Sequence, residues 1–216
     1  MKVDNTVAVA REAPEPPASG DDLALVARLL RKDERTFSSL VDRHHGVMLR
    51  VAQTMVPSRA VAEEVVQETW QAVLEGLPAF EGRSSLKTWM FRILVNRART
   101  RGVREQRSVP VGIVSDGDDA PEAIVRALWS GGQSAVRATP ETALLDGELR
   151  AALETAVEAL PETMRAVLTM RDLAGWTADE ACDVLGVTEA NQRVLLHRAR
   201  VRVRAALNLY LEGKQA

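Results

Sequence analysis

A chain of 216 residues can form one ordinary domain or two small ones, each burying a modest core. Its 46% apolar, 27% charged and only 4% aromatic residues suit helical packing and argue against an aromatic-rich β-sandwich. No apolar run reaches the roughly 18 residues of a membrane span, and Cys182 with His44, His45 and His197 offers neither a disulfide nor metal-ligand spacing, so no cofactor or metal is expected.

In chain order, residues 1–20 include Pro14, Pro16, Pro17 and Gly20 and lack both apolar periodicity and a basic-then-apolar signal pattern. A disordered leader on a cytoplasmic protein is expected. Asp21 or Asp22 is a candidate N-cap for a helix carrying Leu23, Val26, Leu29 and Leu30. A second helix holds Phe37, Leu40, Val41, Val47, Met48 and Val51, and Pro57 closes it. Ala60 to Leu77 continues as helix, with Val61, Val65, Val66, Trp70, Val73 and Leu74 inward and Glu63, Glu64, Gln67, Glu68 and Gln71 outward. After a loop from Phe80 to Ser85, a further helix starts near Ser84 or Ser85 and reaches about Arg104, with Leu86, Trp89, Met90, Ile93 and Leu94 as its stripe. Residues 21–107 thus read as one helical domain.

Periodicity fails over 108–140, where Pro110, Gly112, Gly117, Pro121, Gly131, Gly132 and Pro140 interrupt it, apart from a short helix suggested by Ile124, Val125, Leu128 and Trp129. So long a connection favours a linker between two independent units. Residues 141–212 form the second unit: Leu144 to Leu160 is amphipathic, Pro161 occupies the N1 position of a helix over Glu162 to Leu173, and Gly175 breaks the chain. Thr177 and Glu180 make a capping-box pattern for a helix ending at Leu185, Gly186 supplies a turn, and Thr188 caps a longer basic helix. That is the pattern of a helix-turn-helix at about 177–198. The expected fold class is all-α, with two small helical domains joined by a flexible linker.

The net charge of −2 conceals segregation. Glu81 to Arg107 carries eight basic residues against two acidic, and Thr188 to Arg204 five Arg against Glu189 alone, whereas Asp146 to Asp183 has nine acidic against three basic. The basic blocks suit nucleic acid and the acidic one a protein partner. Arg193, His197, Arg200 and Arg204 follow one another at steps of four, three and four, so they share one face as a phosphate-facing stripe. Thr188, Glu189 and Asn191 occupy the first turn, the part of a recognition helix that meets base edges. A solvated basic face is the bland alternative. In the other block, Gly82, Arg83, Ser84 and Ser85 precede a helix with Lys87, Arg92, Asn96, Arg97, Arg99, Arg101 and Arg104, a setting for phosphate or an extruded base, or simply an ordinary capped helix. Cys182 and Trp70, Trp89 and Trp176 read as packing residues, and His44 and His45 as surface residues.

Three runs then combine: Ala62 to Trp70 (AEEVVQETW), Phe80 to Arg97 (FEGRSSLKTWMFRILVNR), and Leu160 to Arg165 (LPETMR) followed by Gly175 to Arg200. In order and spacing they resemble the extracytoplasmic-function group of bacterial σ70-family sigma factors, over nearly everything from Asp22 to Leu211. The resemblance implies an initiation factor rather than an enzyme, with core RNA polymerase and promoter DNA as partners and an anti-sigma protein as a further one. It implies that 21–107 docks on polymerase and recognises and melts the −10 element, with Arg83, Ser84, Ser85, Lys87, Asn96, Arg97 and Arg101 at the DNA. Glu63, Glu64, Gln67, Glu68 and Gln71 fall where such factors meet the β′ coiled coil. The helix-turn-helix would read the −35 element through Thr188, Glu189, Asn191, Arg193, His197 and Arg200. Asp116, Asp118 and Asp119 in the linker would mimic RNA charge in the polymerase cleft. One departure concerns the recognition helix, where Gln192, Val194 and Leu195 replace the family's usual pattern. It bears on which side chains touch bases, not on which helix enters the groove. Two rival readings are a helix-turn-helix regulator that binds DNA without polymerase and an enzyme acting on nucleic acid. Adjacent Glu63 and Glu64 diverge on a helix and make a poor carboxylate pair for the latter.

Overall fold

Order begins with a reciprocal cap: the Ser19 hydroxyl accepts from the Asp22 N–H at 3.1 Å, and the Asp22 carboxylate accepts from the Ser19 N–H at 3.2 Å. Asp22 is therefore the third residue of α1 (Gly20–Leu30) and the cap lies further upstream than the charge pattern suggests. The computed structural model describes residues 17–105 and 140–215, and every regular element among them is helical. The leader over 1–16 and the linker expectations, including Ile124 to Trp129, Asp116, Asp118 and Asp119, lie outside the described residues.

Asp33 caps α2 (Glu34–Gln53); hydrogen bonds from Thr36 and then Arg28 lower its pKa to about 2. Ser58 caps α3 (Arg59–Gly76), a 3₁₀ turn follows over Leu77–Ala79, and the Ser85 hydroxyl accepts from the Thr88 N–H at 3.1 Å to open α4 (Leu86–Glu105). Val65, Val66, Val73, Met48, Met90, Phe91, Leu94 and Val95 fill the space between α2, α3 and α4 and are buried. Each such side chain contributes about 1.5–3 kcal/mol on burial, against about 0–1 kcal/mol for an exposed ion pair. Apolar packing therefore decides the arrangement of this unit. It also explains Gly102: a Cβ there would lie 2.4 Å from the Met55 carbonyl oxygen, so α4 can pass the end of α2 only on a glycine.

The second unit comprises α5 (Pro140–Glu158), α6 (Glu162–Leu168), a π-helical turn (Thr169–Leu173), α7 (Ala178–Leu185) and α8 (Glu189–Gln215). Pro161 stands just outside α6 as its N-cap rather than at its first position. Leu153, Val167, Leu168, Met170, Leu185, Ala199 and Val203 form the core where α8 crosses α5 and α6. Inside it Arg200 donates to Asp172 through two bonds of 2.8 and 3.0 Å, with the Asp172 side chain 1% exposed.

The two units pack on each other, α4 against α7. Trp176, 4% exposed, meets Phe91 edge-on with ring centroids 4.6 Å apart, so the apolar core is continuous across the junction.

Candidate nucleic-acid interface

The helix-turn-helix is built by local chemistry. The Thr177 hydroxyl accepts from the Glu180 N–H and the Glu180 carboxylate from the Thr177 N–H, which opens α7. Gly186 closes it in the left-handed region, φ 65°, where other residues strain. The Thr188 hydroxyl then accepts from the Asn191 N–H at 3.3 Å, so it is engaged as the cap of α8. Glu189, Asn191 and Arg193 are exposed on the first turns, Arg193 paired with Glu189, and His197 is half-buried beside them. Arg200 is turned inward onto Asp172, and its guanidinium serves the packing of the unit. Gln192 is 1% exposed and its Nε2 finds no acceptor, so it occupies a core position. Val194, 46% exposed, and Arg198 stand on the outward face between the sequence-selected residues. The step Ala190, Val194, Arg198 is the signal that would have picked out Arg198, which the four-three-four stripe passes over.

A second polar surface lies between α3 and α4. An open cleft of about 670 Å³ is lined by Glu68, Ile93, Asn96, Arg97, Thr100 and Arg101. Asn96 is exposed, and half-buried Ile93 adds an apolar patch to the lining. Arg101 donates to both Glu64 and Glu68 at 3.0 Å, and Arg97 donates to Glu68 at 3.2 Å. The acidic row selected for a protein partner and the basic residues selected for DNA therefore share one groove. The rest of the row stays outward: Glu63 accepts from Arg59 at 2.9 Å, Gln71 donates to Glu75 at 2.9 Å, and Gln67 is exposed.

The start of α4 is arranged differently. Arg83 is exposed and pairs with Glu81 at 3.0 Å, Ser84 is buried, and Ser85 is the helix cap. Lys87 pairs with Glu180 of α7 and sits 4.4 Å over the Trp176 ring. Two further α4 cations reach the C-terminal end of α7: Arg92 Nε donates to the Asp183 carbonyl at 3.1 Å, and Arg99 to the Leu185 carbonyl at 2.6 Å. Helix-end carbonyls lack intrahelical donors, and the negative end of the helix dipole favours cations there. Thus α4 has two basic sides, Arg97 and Arg101 toward the cleft, and Lys87, Arg92 and Arg99 toward the helix-turn-helix. Neither Arg92 nor Arg99 stands out in sequence as a junction residue.

Cys182 is half-buried, and burial followed by Asp179, Asp183 and Glu189 pushes its thiol pKa up, the opposite of a reactive thiolate. His44 departs from the surface expectation: its ring meets Phe91 edge-on at 6.2 Å, and burial, with Arg43 and Lys87, lowers its pKa. Trp70 and Trp176 are buried as expected, whereas Trp89 is half-buried against Phe80.

Known proteins align with this arrangement along most of its length. The family description Sigma-70 region 2 matches residues 40–108, and Sigma-70, region 4 matches 150–203. The chain is 33% identical over 179 residues to the ECF RNA polymerase sigma-E factor of Escherichia coli strain K12, covering 83% of this chain and 90% of that one. It is 29% identical over 188 residues to the RNA polymerase sigma-H factor of Pseudomonas aeruginosa, covering 86% and 93%. Among solved structures, CnrH in complex with the cytosolic domain of CnrY superposes with a TM-score of 0.55 at 22% identity, over 87% of this chain and 97% of CnrH. RpoE in complex with the anti-sigma factor NepR from Bartonella quintana gives 0.50 at 20% identity, over 80% and 96%. These two likenesses concern the fold. With both regions matched in order and a relative one-third identical along nearly its whole length, the chain belongs to the extracytoplasmic-function group of σ70-family sigma factors, which bind core RNA polymerase and direct transcription initiation.

Proposed function

We propose the following division of labour within this sigma factor. Residues 21–107 dock on core polymerase and capture the −10 element, 108–140 link, and 141–212 read the −35 element. Asn96, Arg97 and Arg101 receive the opened strand in the α3/α4 cleft, with Arg83, Ser85 and Lys87 at its approach and Ser84 shaping the loop from within. The outward row Glu63, Glu64, Gln67, Glu68 and Gln71 meets the polymerase. At the −35 element Glu189, Asn191, Arg193 and His197 face the groove, while Thr188 and Arg200 position the helix. The single observation that carries this reading is the cleft, which gathers three sequence-selected DNA residues from one helix against an acidic helix.

Promoter opening costs about 1.4 kcal/mol per stacked step, and that must be recovered from captured bases and polymerase contacts. The factor alone therefore binds promoters poorly and acts in the cytoplasm as part of the holoenzyme, without catalytic chemistry of its own. Because CnrH and RpoE are described with CnrY and an anti-sigma factor, we extend the partners to a regulatory protein of that kind. The test is run-off transcription with core polymerase on DNA enriched from genomic fragments, paired with permanganate footprinting. Asn96→Ala should impair strand opening more than duplex docking, and Arg193→Ala should weaken docking. Equal losses in both assays would contradict the division.

A further inference from the structure

In the free chain, the acidic row of α3 and the cleft side of α4 neutralise each other. Arg101 holds Glu64 and Glu68, and Arg97 holds Glu68, all at 3.0–3.2 Å around the mouth that also presents Asn96. Under the residue assignment above these same groups have separate clients: the carboxylates serve a basic surface on the polymerase, and the guanidinium groups serve phosphates of the opened strand. One carboxylate cannot hold both an arginine of its own chain and a cation of a partner at full strength. A phosphate entering the cleft also meets the repulsion of Glu64 and Glu68. The side chains involved are 35–60% exposed, so the internal pairs are screened and exchange readily.

We propose that Glu68, with Glu64, is a positioning residue that couples polymerase docking to strand capture by charge exchange. Basic groups on the polymerase take the carboxylates, and Arg97 and Arg101 pass to the phosphates of the non-template strand. The coupling rests on the residue assignment above.

The test compares wild type, Glu68→Gln and Glu68→Asp for binding a fluorescein-labelled single-stranded oligodeoxynucleotide, as free factor and with saturating core polymerase, across a salt series. Free Glu68→Gln should bind about threefold to tenfold tighter than wild type, as expected for losing a small cluster of exposed ion pairs. Its salt dependence should steepen by about 1.4, roughly 0.7 for each newly available phosphate contact. Core polymerase should then add correspondingly less affinity than it adds to wild type, and Glu68→Asp should restore wild-type behaviour. A purely structural role for Glu68 would not steepen the salt slope. Arg97→Ala/Arg101→Ala in the holoenzyme separates the two levels. If that variant loses strand binding while Glu68→Gln keeps the wild-type affinity and slope, the exchange is refuted and the assignment stands. If it binds the strand as wild type does, the assignment fails and the exchange with it.

Discussion

Replacing Arg92 and Arg99 together with alanine should separate the two helical units. Both guanidinium groups donate to carbonyls at the end of α7, at 3.1 and 2.6 Å, and both side chains are half-buried. A hydrogen bond involving a charged group is worth about 1.5–3 kcal/mol, and half-exposure puts each bond at the low end of that range. Two bonds at about 1.5 kcal/mol sum to about 3 kcal/mol, which lowers the ratio of closed to open chain roughly a hundredfold at 1.4 kcal/mol per decade. The Phe91–Trp176 contact and the Lys87–Glu180 pair remain, so each unit should keep its own fold. Fluorophores on cysteines replacing exposed Glu75 and Ala205, in a Cys182→Ala background, report the separation by single-molecule energy transfer. A low-transfer population should grow in the double variant and not in Arg83→Ala, whose side chain reaches only Glu81. Identical transfer distributions for wild type and the double variant would refute the reasoning.

Asp172→Ala leaves Arg200 without its buried partner and should cost about 3–5 kcal/mol, read as a lower denaturant midpoint at unchanged slope. An effect below about 1 kcal/mol would mean that the pair is hydrated in solution. Gln192→Leu removes a buried amide nitrogen that has no acceptor and should stabilise the helix-turn-helix unit by about 1–2 kcal/mol in calorimetry; a lowered Tm would show that Nε2 has a partner. His44 is held with a pKa below 6.5, chiefly by burial, so the unfolded chain binds its proton more readily. Its contribution to stability is complete above pH 6.5 and falls as pH drops below that value, levelling off under the folded pKa. Urea titrations between pH 7 and 5 should show His44→Phe losing less stability than wild type, and parallel losses would remove His44 from the acid response.

The helices were legible because their ends are written locally: Thr177 with Glu180, Gly186 and Thr188 lie within a dozen residues and fold as their spacing predicts. The first cap is one such local signal misassigned, since Ser19 and Asp22 form a reciprocal pair and either end can be taken for the cap. What spacing could not disclose is pairing at long range. Arg101 meets Glu68 across 33 residues, Arg92 meets Asp183 across 91, and neither partner carries a mark of the other. Charge likewise misplaces Arg200, because its regular step along α8 says which residues share a face and not that the face turns onto Asp172. Gln192 shows the converse, a residue whose chemistry suits a base edge sitting where packing requires it.

The wide turn at Thr169–Leu173 has a bearing on how this chain tolerates change in length. A π turn is an α-helix that has absorbed one additional residue, and reverting it to regular winding would swing everything downstream by about 100°. Asp172 would leave the interior, and Trp176 would swing away from the ring it touches in the neighbouring unit. Shortening this stretch by a single position would therefore cost the chain both an internal tether and its junction, whereas an alanine exchanged for an exposed neighbour would cost neither.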